Sequence, residues 1–156
     1  MHDHTTGRHD GSVREGLVKV VTDHVELDTP GNAHIARITA QVADILLRTG
    51  LTSGTVTVFA PGATGAVTTL EFEPGVVADL QELFDTITPP GKQYLHNVNL
   101  GDGNGHSHVR AGLLGPSLTV PFGDGRMLLG RWQEIVFVDF DARPRSRRVV
   151  VQVMGV

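Results

Sequence analysis

The chain of 156 residues has no cysteine. Disulfides and thiolate metal sites are therefore excluded, and any bound metal must take nitrogen or oxygen ligands. Aromatic residues are scarce at 5%, so Val, Leu and Ile must fill most of any core. Basic residues are not in excess: 13 Lys and Arg stand against 17 Asp and Glu, for a formal net charge of -4. That balance argues against a nucleic-acid binder, which usually shows a basic patch and a high pI. No apolar run approaches the roughly 20 residues that cross a bilayer. The first residues also lack the apolar core of a signal peptide. A cytoplasmic protein without membrane or nucleic-acid partners is the expectation.

What is present is an ordinary globular balance, 40% hydrophobic and 19% charged, in a length that suits one domain with a real core. The 19 glycines mostly separate apolar runs and read as turns. Residues 1–12 (MHDHTTGRHDGS) are polar and aperiodic. They read as a flexible tail, with His2, His4 and His9 also offering a metal-scavenging segment. Residues 13–156 read as a single domain.

Valine-rich alternation predicts a strand over residues 17–27. Asp28 or Thr29 as cap and Pro30 in the first turn then suggest a helix, with Ile35, Ile38, Val42, Ile45 and Leu46 at helical spacing and Gly50 as its stop. Strands follow at residues 55–59 and 66–72, separated by a turn at 60–65. Glu73-Pro74-Gly75 opens a second helix whose stripe is Val77, Leu80, Leu83, Phe84 and Ile87, ended by Pro89-Pro90. Residues 91–105 read as a long irregular loop, a kind of segment that is usually functional. Residues 109–114 suit a short helix launched from it, with N–H groups that favour an anion. Strand-like runs at 117–122, 127–129, 134–140 and 147–154 complete the chain, with Gly123-Asp124-Gly125 as a hairpin turn. The order β-α-β-β-α-β-β-β-β predicts an α+β fold with two main helices and a mainly antiparallel sheet or sandwich. A doubly wound sheet is disfavoured because the last strands have no helices between them.

The densest chemistry lies at residues 102–110, DGNGHSHVR. Two histidines, an amide, a carboxylate and a guanidinium sit on a glycine-punctuated run, with His96 just upstream. Such a set handles metals, protons or phosphate oxygens. In an extended segment His106 and His108 share one face; in a helical turn they diverge. His96, His106 and His108 with a carboxylate or water would bind a divalent metal such as Zn²⁺, and three protein ligands plus an open position is the pattern of catalytic zinc sites. Asn104 can orient a histidine, cap the following helix or bind a ligand oxygen. Asp102 is either a partner that fixes a histidine tautomer or a turn residue. Arg110 is the leading phosphate clamp and Arg145 the second, because guanidinium binds oxyanions bidentately. Arg143, Arg147 and Arg148 make the C-terminal region locally basic. Glu71 is a candidate acid–base group, Glu73 a charge at a helix start. Gln133 is a candidate hydrogen-bonding partner for substrate, and Trp132 a core or interface residue.

From about residue 51 onward the sequence resembles the YjbQ-like family of proposed secondary thiamine-phosphate synthases. The resemblance rests on DGNGHSHVRAGLLGPSLTVP (102–121) and LLGRWQEIVFVDFDARPRSRRVVVQVMG (128–155). It implies a compact α+β fold with two β-sheets, a homotrimer, and coupling of a pyrimidine diphosphate to a thiazole phosphate. It also implies a small phosphorylated metabolite as ligand, with a divalent metal, Zn²⁺ or Mg²⁺, holding phosphates beside Arg110. The chain departs from many members at Gly62 and Leu70, where a histidine and an asparagine are common; Glu71 is retained. Its Asn-Gly-His-Ser-His run marks a separate branch. A metal-dependent hydrolase, with Glu71 or a histidine as base, and a non-enzymatic trimeric binding protein are the alternatives.

Overall fold

The architecture comes from a computed structural model that describes residues 11–156. The expected tail over residues 1–12, with His2, His4 and His9, lies outside the described residues except for exposed Gly11 and Ser12. The elements are β1 (Lys19–Thr29), β2 (His34–Arg37), α1 (Thr39–Thr49), β3 (Ser53–Phe59), β4 (Gly65–Leu70) and α2 (Pro74–Ile87). They continue with α3 (Leu95–Leu100), α4 (Gly105–Leu114), β5 (Ser117–Gly123), β6 (Arg126–Met127), β7 (Glu134–Asp139) and β8 (Arg145–Gly155).

Two antiparallel sheets form, one in the order β1-β8-β3-β5-β6 and one in the order β2-β7-β4. This is the α+β, two-sheet arrangement expected. Strand β7 explains why the sheets stack. Ile135 and Phe137 face the large sheet and α1, where they join Val42, Val56, Val151 and Val153. Val136, Val138 and Phe140 face the other way and meet Phe84 of α2 and Ala111 of α4. A strand apolar on both faces must be covered on both, so helices α2 and α4 form a third layer over the small sheet. Burying each such Val or Phe contributes roughly 1.5–3 kcal/mol.

Two segments differ from the sequence expectation. The first helix does not begin at Pro30. Gly31, Asn32 and Ala33 adopt φ of +78°, +54° and +60°, and this left-handed turn reverses the chain into β2. Ile35 is thus a buried strand residue paired with Val138. Neither proposed cap is free: the Thr29 hydroxyl donates to Asp139, and Asp28 accepts from Ser146 Oγ at 2.5 Å. The helix starts at Thr39 and ends at Gly50 in the left-handed region, as the glycine stop implies.

The second difference is α3, which occupies the middle of the expected loop. It is short and has no buried residue of its own, so no apolar stripe betrays it. Helix α2 is capped by Glu73, whose carboxylate accepts from Gly75 N and Val76 N at 2.9 and 3.1 Å. Those two bonds hold its pKa below the ordinary value.

Candidate functional site

Helix α4 begins at Gly105, earlier than expected, so His106, His108 and Arg110 are all helical. With 3.6 residues per turn, residues 106 and 110 share a face and 108 points away from it. His106 and Arg110 are buried at 5% and 2% exposure, whereas His108 is half-buried. The two histidines therefore part, and only one joins the polar cluster.

That cluster is His96, Asp102 and His108. One ligand atom from each lies within 4.8 Å of the others. His96 Nε2 stands 3.1 and 3.2 Å from the two Asp102 carboxylate oxygens. The His96 and His108 rings meet edge to face with centroids 4.5 Å apart. His108 Nδ1 lies 3.0 Å from the Ala63 carbonyl. A carbonyl only accepts, so Nδ1 carries the proton and Nε2 is left bare toward the cluster. Such a backbone contact is the usual device for fixing a metal-binding tautomer.

Asn104 completes the arrangement. It occupies the N-cap position of α4 but makes no capping bond; Asn97 of α3 does that, accepting from Gly105 N at 2.8 Å. The Asn104 amide is released to turn its NH₂ inward. In that orientation its nitrogen is 3.0 Å from His96 Nε2, 3.3 Å from His108 Nε2, and 3.0 and 3.2 Å from the Asp102 oxygens. An amide has two N–H bonds, and here they face several acceptors. Acceptors converging on one donor form the electrostatic surroundings of a cation, and the nitrogen and oxygen atoms present suit Zn²⁺ or a related divalent ion.

Gly105 permits this closeness. A Cβ there would lie 2.6 Å from Tyr94 Cβ and 2.8 Å from Asn97 Oδ1. Only glycine lets α3 and α4 approach so nearly, and their approach brings His96 to His108.

The other expected site residues are placed elsewhere. Arg110 binds the C-terminal end of α2: its Nε and Nη2 donate to the Thr88 carbonyl at 3.2 and 2.8 Å, and Nη2 donates to Asp85 at 2.7 Å. It is a helix-capping cation rather than an open phosphate clamp, because its face of α4 packs on α2. His106 shares that environment. Its Nδ1 is buried with no hydrogen-bond partner, and burial, then the Arg110 charge, push its pKa below the ordinary value. His106 is thus not a ligand of the cluster.

Glu71 lies one residue past β4, exposed, with no hydrogen-bond or ion-pair partner for its carboxylate among the described residues. Gln133 closes a turn, accepting from Gly130 N at 2.7 Å and reaching Thr69 Oγ1 at 3.4 Å. Trp132 is 62% exposed, with the Arg131 guanidinium 4.7 Å over its ring, so it is not a core residue of its own chain.

Arg145 does reach the cluster's neighbourhood. A cavity of about 540 Å³ is lined by Asp102 and Asn104 on one side and by Asp141, Ala142, Arg143 and Arg145 on the other. Behind it stands an ionic network that sequence reading did not identify. Arg147 binds the fully buried Asp139 at 2.6 Å, and Arg145 binds Asp141 at 2.8 Å. Burial raises the Asp141 pKa, but the Arg145 hydrogen bond and the charges of Arg145 and Arg147 outweigh it and hold the group ionised. The signal was available: two acids at period two end an apolar strand, and two arginines at period two open the next.

The fold and cluster together define a two-sheet α+β protein with a histidine–carboxylate centre at the junction of two helices. Comparison with known proteins gives the family. The family model described as UPF0047 protein YjbQ-like matches residues 23–156. A UPF0047 protein of Methanothermobacter thermautotrophicus is 36% identical over 139 residues, covering 89% of this chain and 95% of its own. The UPF0047 protein YugU of Bacillus subtilis is 31% identical over 132 residues, covering 84% and 97%. Among solved structures, a YbjQ-like protein of unknown function from Sulfolobus solfataricus superposes with a TM-score of 0.85 at 29% identity, covering 90% of this chain and all of that one. A hypothetical protein from Aeropyrum pernix gives 0.81 at 32% identity, covering 87% and 99%. The chain belongs to the YjbQ-like UPF0047 family.

Proposed function

We propose that this protein is an enzyme that holds a divalent metal at His96, Asp102 and His108 and acts on a small phosphorylated metabolite. The observation that carries this reading is the convergence of two imidazole nitrogens and a carboxylate on the Asn104 amide, beside a cavity whose far wall is arginine. Asn104 can rotate to present its oxygen instead of its NH₂ when a cation replaces the hydrogen bonds. The expected ligand set changes accordingly: Asp102 replaces His106.

The reaction we assign is the one the family resemblance implies, formation of thiamine phosphate. The C–O bond between the pyrimidine methylene and the diphosphate breaks, and its electron pair leaves with pyrophosphate. The thiazole nitrogen then closes a C–N bond on the resulting pyrimidine cation. No proton moves, so no strong base is needed, and catalysis reduces to positioning and to stabilising the departing anion. A bound divalent ion supplies positive charge for that anion. His108, locked by Ala63 through Nδ1, keeps its Nε2 aimed at the site.

A homotrimer is part of the same proposal. The outer face of the large sheet carries Val20, Met154 and Phe59, exposed at 57%, 48% and 41%. Val20 and Met154 are register partners, and Phe59 lies on the adjoining strand β3, a surface suited to burial against further copies.

The test is reconstitution. Untagged protein loaded with Zn²⁺ or Mg²⁺ is given the pyrimidine diphosphate and thiazole phosphate, and thiamine phosphate is measured. Rescue of a strain lacking thiamine-phosphate synthase by wild type but not by His108→Ala supports the assignment. No bound metal and no product overturn it; turnover of simple phosphate esters instead makes the protein a hydrolase.

A further inference from the structure

We infer that the cavity between residues 101–104 and 141–145 is the subsite for the substrate's phosphoryl or diphosphoryl group, and that Arg143 is its clamp with Arg145 beside it. This rests on the reading of the ligand as a phosphorylated metabolite, and names the place and residues that bind it.

Three observations lead there. First, charge: Arg145 and Arg147 are matched by Asp141 and Asp139, while Arg143 is exposed with no carboxylate partner among the described residues. Arg143 is therefore the guanidinium of the cavity that no carboxylate binds, and it stands across from Asp102 on the other wall. Second, donor supply: Arg145 uses Nε on Asp141, and among the described residues its Nη nitrogens have no hydrogen-bond partner. A guanidinium fixed at one edge and free at the other is pre-organised to receive an oxyanion. Third, placement: the opposite wall is Asp102 and Asn104, which contact His96 and His108 directly. An anion in the cavity thus reaches the metal ligands on one side and the arginines on the other.

Backbone geometry supports the wall. Gly31 lies against the Asp141 and Arg143 carbonyls so closely that a Cβ there would collide with both. Asn32 N donates to the Asp141 carbonyl at 2.7 Å. The 141–145 segment is pinned from behind, and its residues Asp141, Ala142, Arg143 and Arg145 line the cavity.

The experiment is calorimetric titration of the full chain with inorganic pyrophosphate, with and without Mg²⁺, in wild type, Arg143→Gln, Arg145→Gln and the surface control Arg131→Gln. Arg143→Gln should weaken pyrophosphate binding about tenfold or more, and Arg131→Gln should leave it unchanged. Arg145→Gln also frees Asp141, so its thermal melt is recorded alongside; Arg143→Gln, at an exposed position, should melt as wild type does. Equal binding by wild type and Arg143→Gln, or no binding by either, overturns the subsite. Metal binding is titrated separately without anion. Arg143-dependent pyrophosphate binding without metal binding keeps the subsite and removes the metal centre. Metal binding with pyrophosphate indifferent to Arg143 does the reverse.

Discussion

His108 and Ala63 are joined by a hydrogen bond of 3.0 Å from the imidazole Nδ1 to the main-chain carbonyl. It ties α4 to the loop before β4 and aims the other ring nitrogen at His96 and Asp102. Ala63 lies next to Gly62 in that loop. The loop supplies a carbonyl that orients the His108 ring.

Metal affinity should follow the cluster and not the full histidine count. His108→Ala and Asp102→Asn should each lower Zn²⁺ affinity by about 100-fold, taking the loss of a direct ligand to be at least as large as that of a supporting partner. His106→Leu should leave it unchanged. Calorimetric titration of metal into the apo protein checks this, and equal losses at positions 106 and 108 would contradict the geometry.

Arg110 should behave as a structural residue. Arg110→Met removes its hydrogen bonds to Thr88 and its pairing with Asp85, at a cost of about 2–4 kcal/mol. Denaturant unfolding should report that loss, while pyrophosphate affinity of the folded variant stays at the wild-type level.

Gly105→Ala should separate α3 from α4. Its Cβ meets Tyr94 and Asn97, so the expected destabilisation is about 1–3 kcal/mol. Because His96 and His108 ride on the two helices, metal affinity should fall as well, although neither ligand is altered. Parallel melting and metal titrations check both effects.

His106 should make the protein acid-sensitive. Its folded-state pKa is lowered by burial and by Arg110, so below the unfolded value of about 6.5 the unfolded chain takes up a proton that the native state refuses. Its contribution is fully present above pH 6.5 and is lost as pH falls from there toward the folded-state value. The slope from this one group cannot exceed about 1.4 kcal/mol per pH unit. Comparing unfolding free energies of wild type and His106→Leu between pH 5 and 8 isolates it: the difference should widen in favour of the variant at the acid end.

Periodicity carried most of the fold. Strands of alternating valine, the Glu73-Pro74 opening of α2, Gly50 as a stop and the Gly123–Gly125 turn are local signals, and each reads out in the structure. The expected stripe of α2 does so only in part: Phe84 is buried and Val77 and Leu80 pack beside it, while Leu83 and Ile87 are half exposed. Where local signals competed, they misled. Ile35 fits a helical stripe as well as a strand, and only the left-handed turn at residues 31–33 decides between them. α3 has no buried side chain to announce it.

The chain's residues alone determined that any metal would meet nitrogen and oxygen, that the densest run of polar chemistry lies at residues 96–110, and that the core is α+β with mainly antiparallel strands. Tertiary structure decided which members of that group meet. Helical geometry turns His106 and Arg110 inward to α2 and His108 outward to His96. It also frees Asn104 by letting Asn97 cap the helix, and it brings Arg143 from a distant turn to the facing wall. Side-chain direction depends on where α4 begins and on what packs against it, and these are properties of the folded whole that residue spacing does not carry.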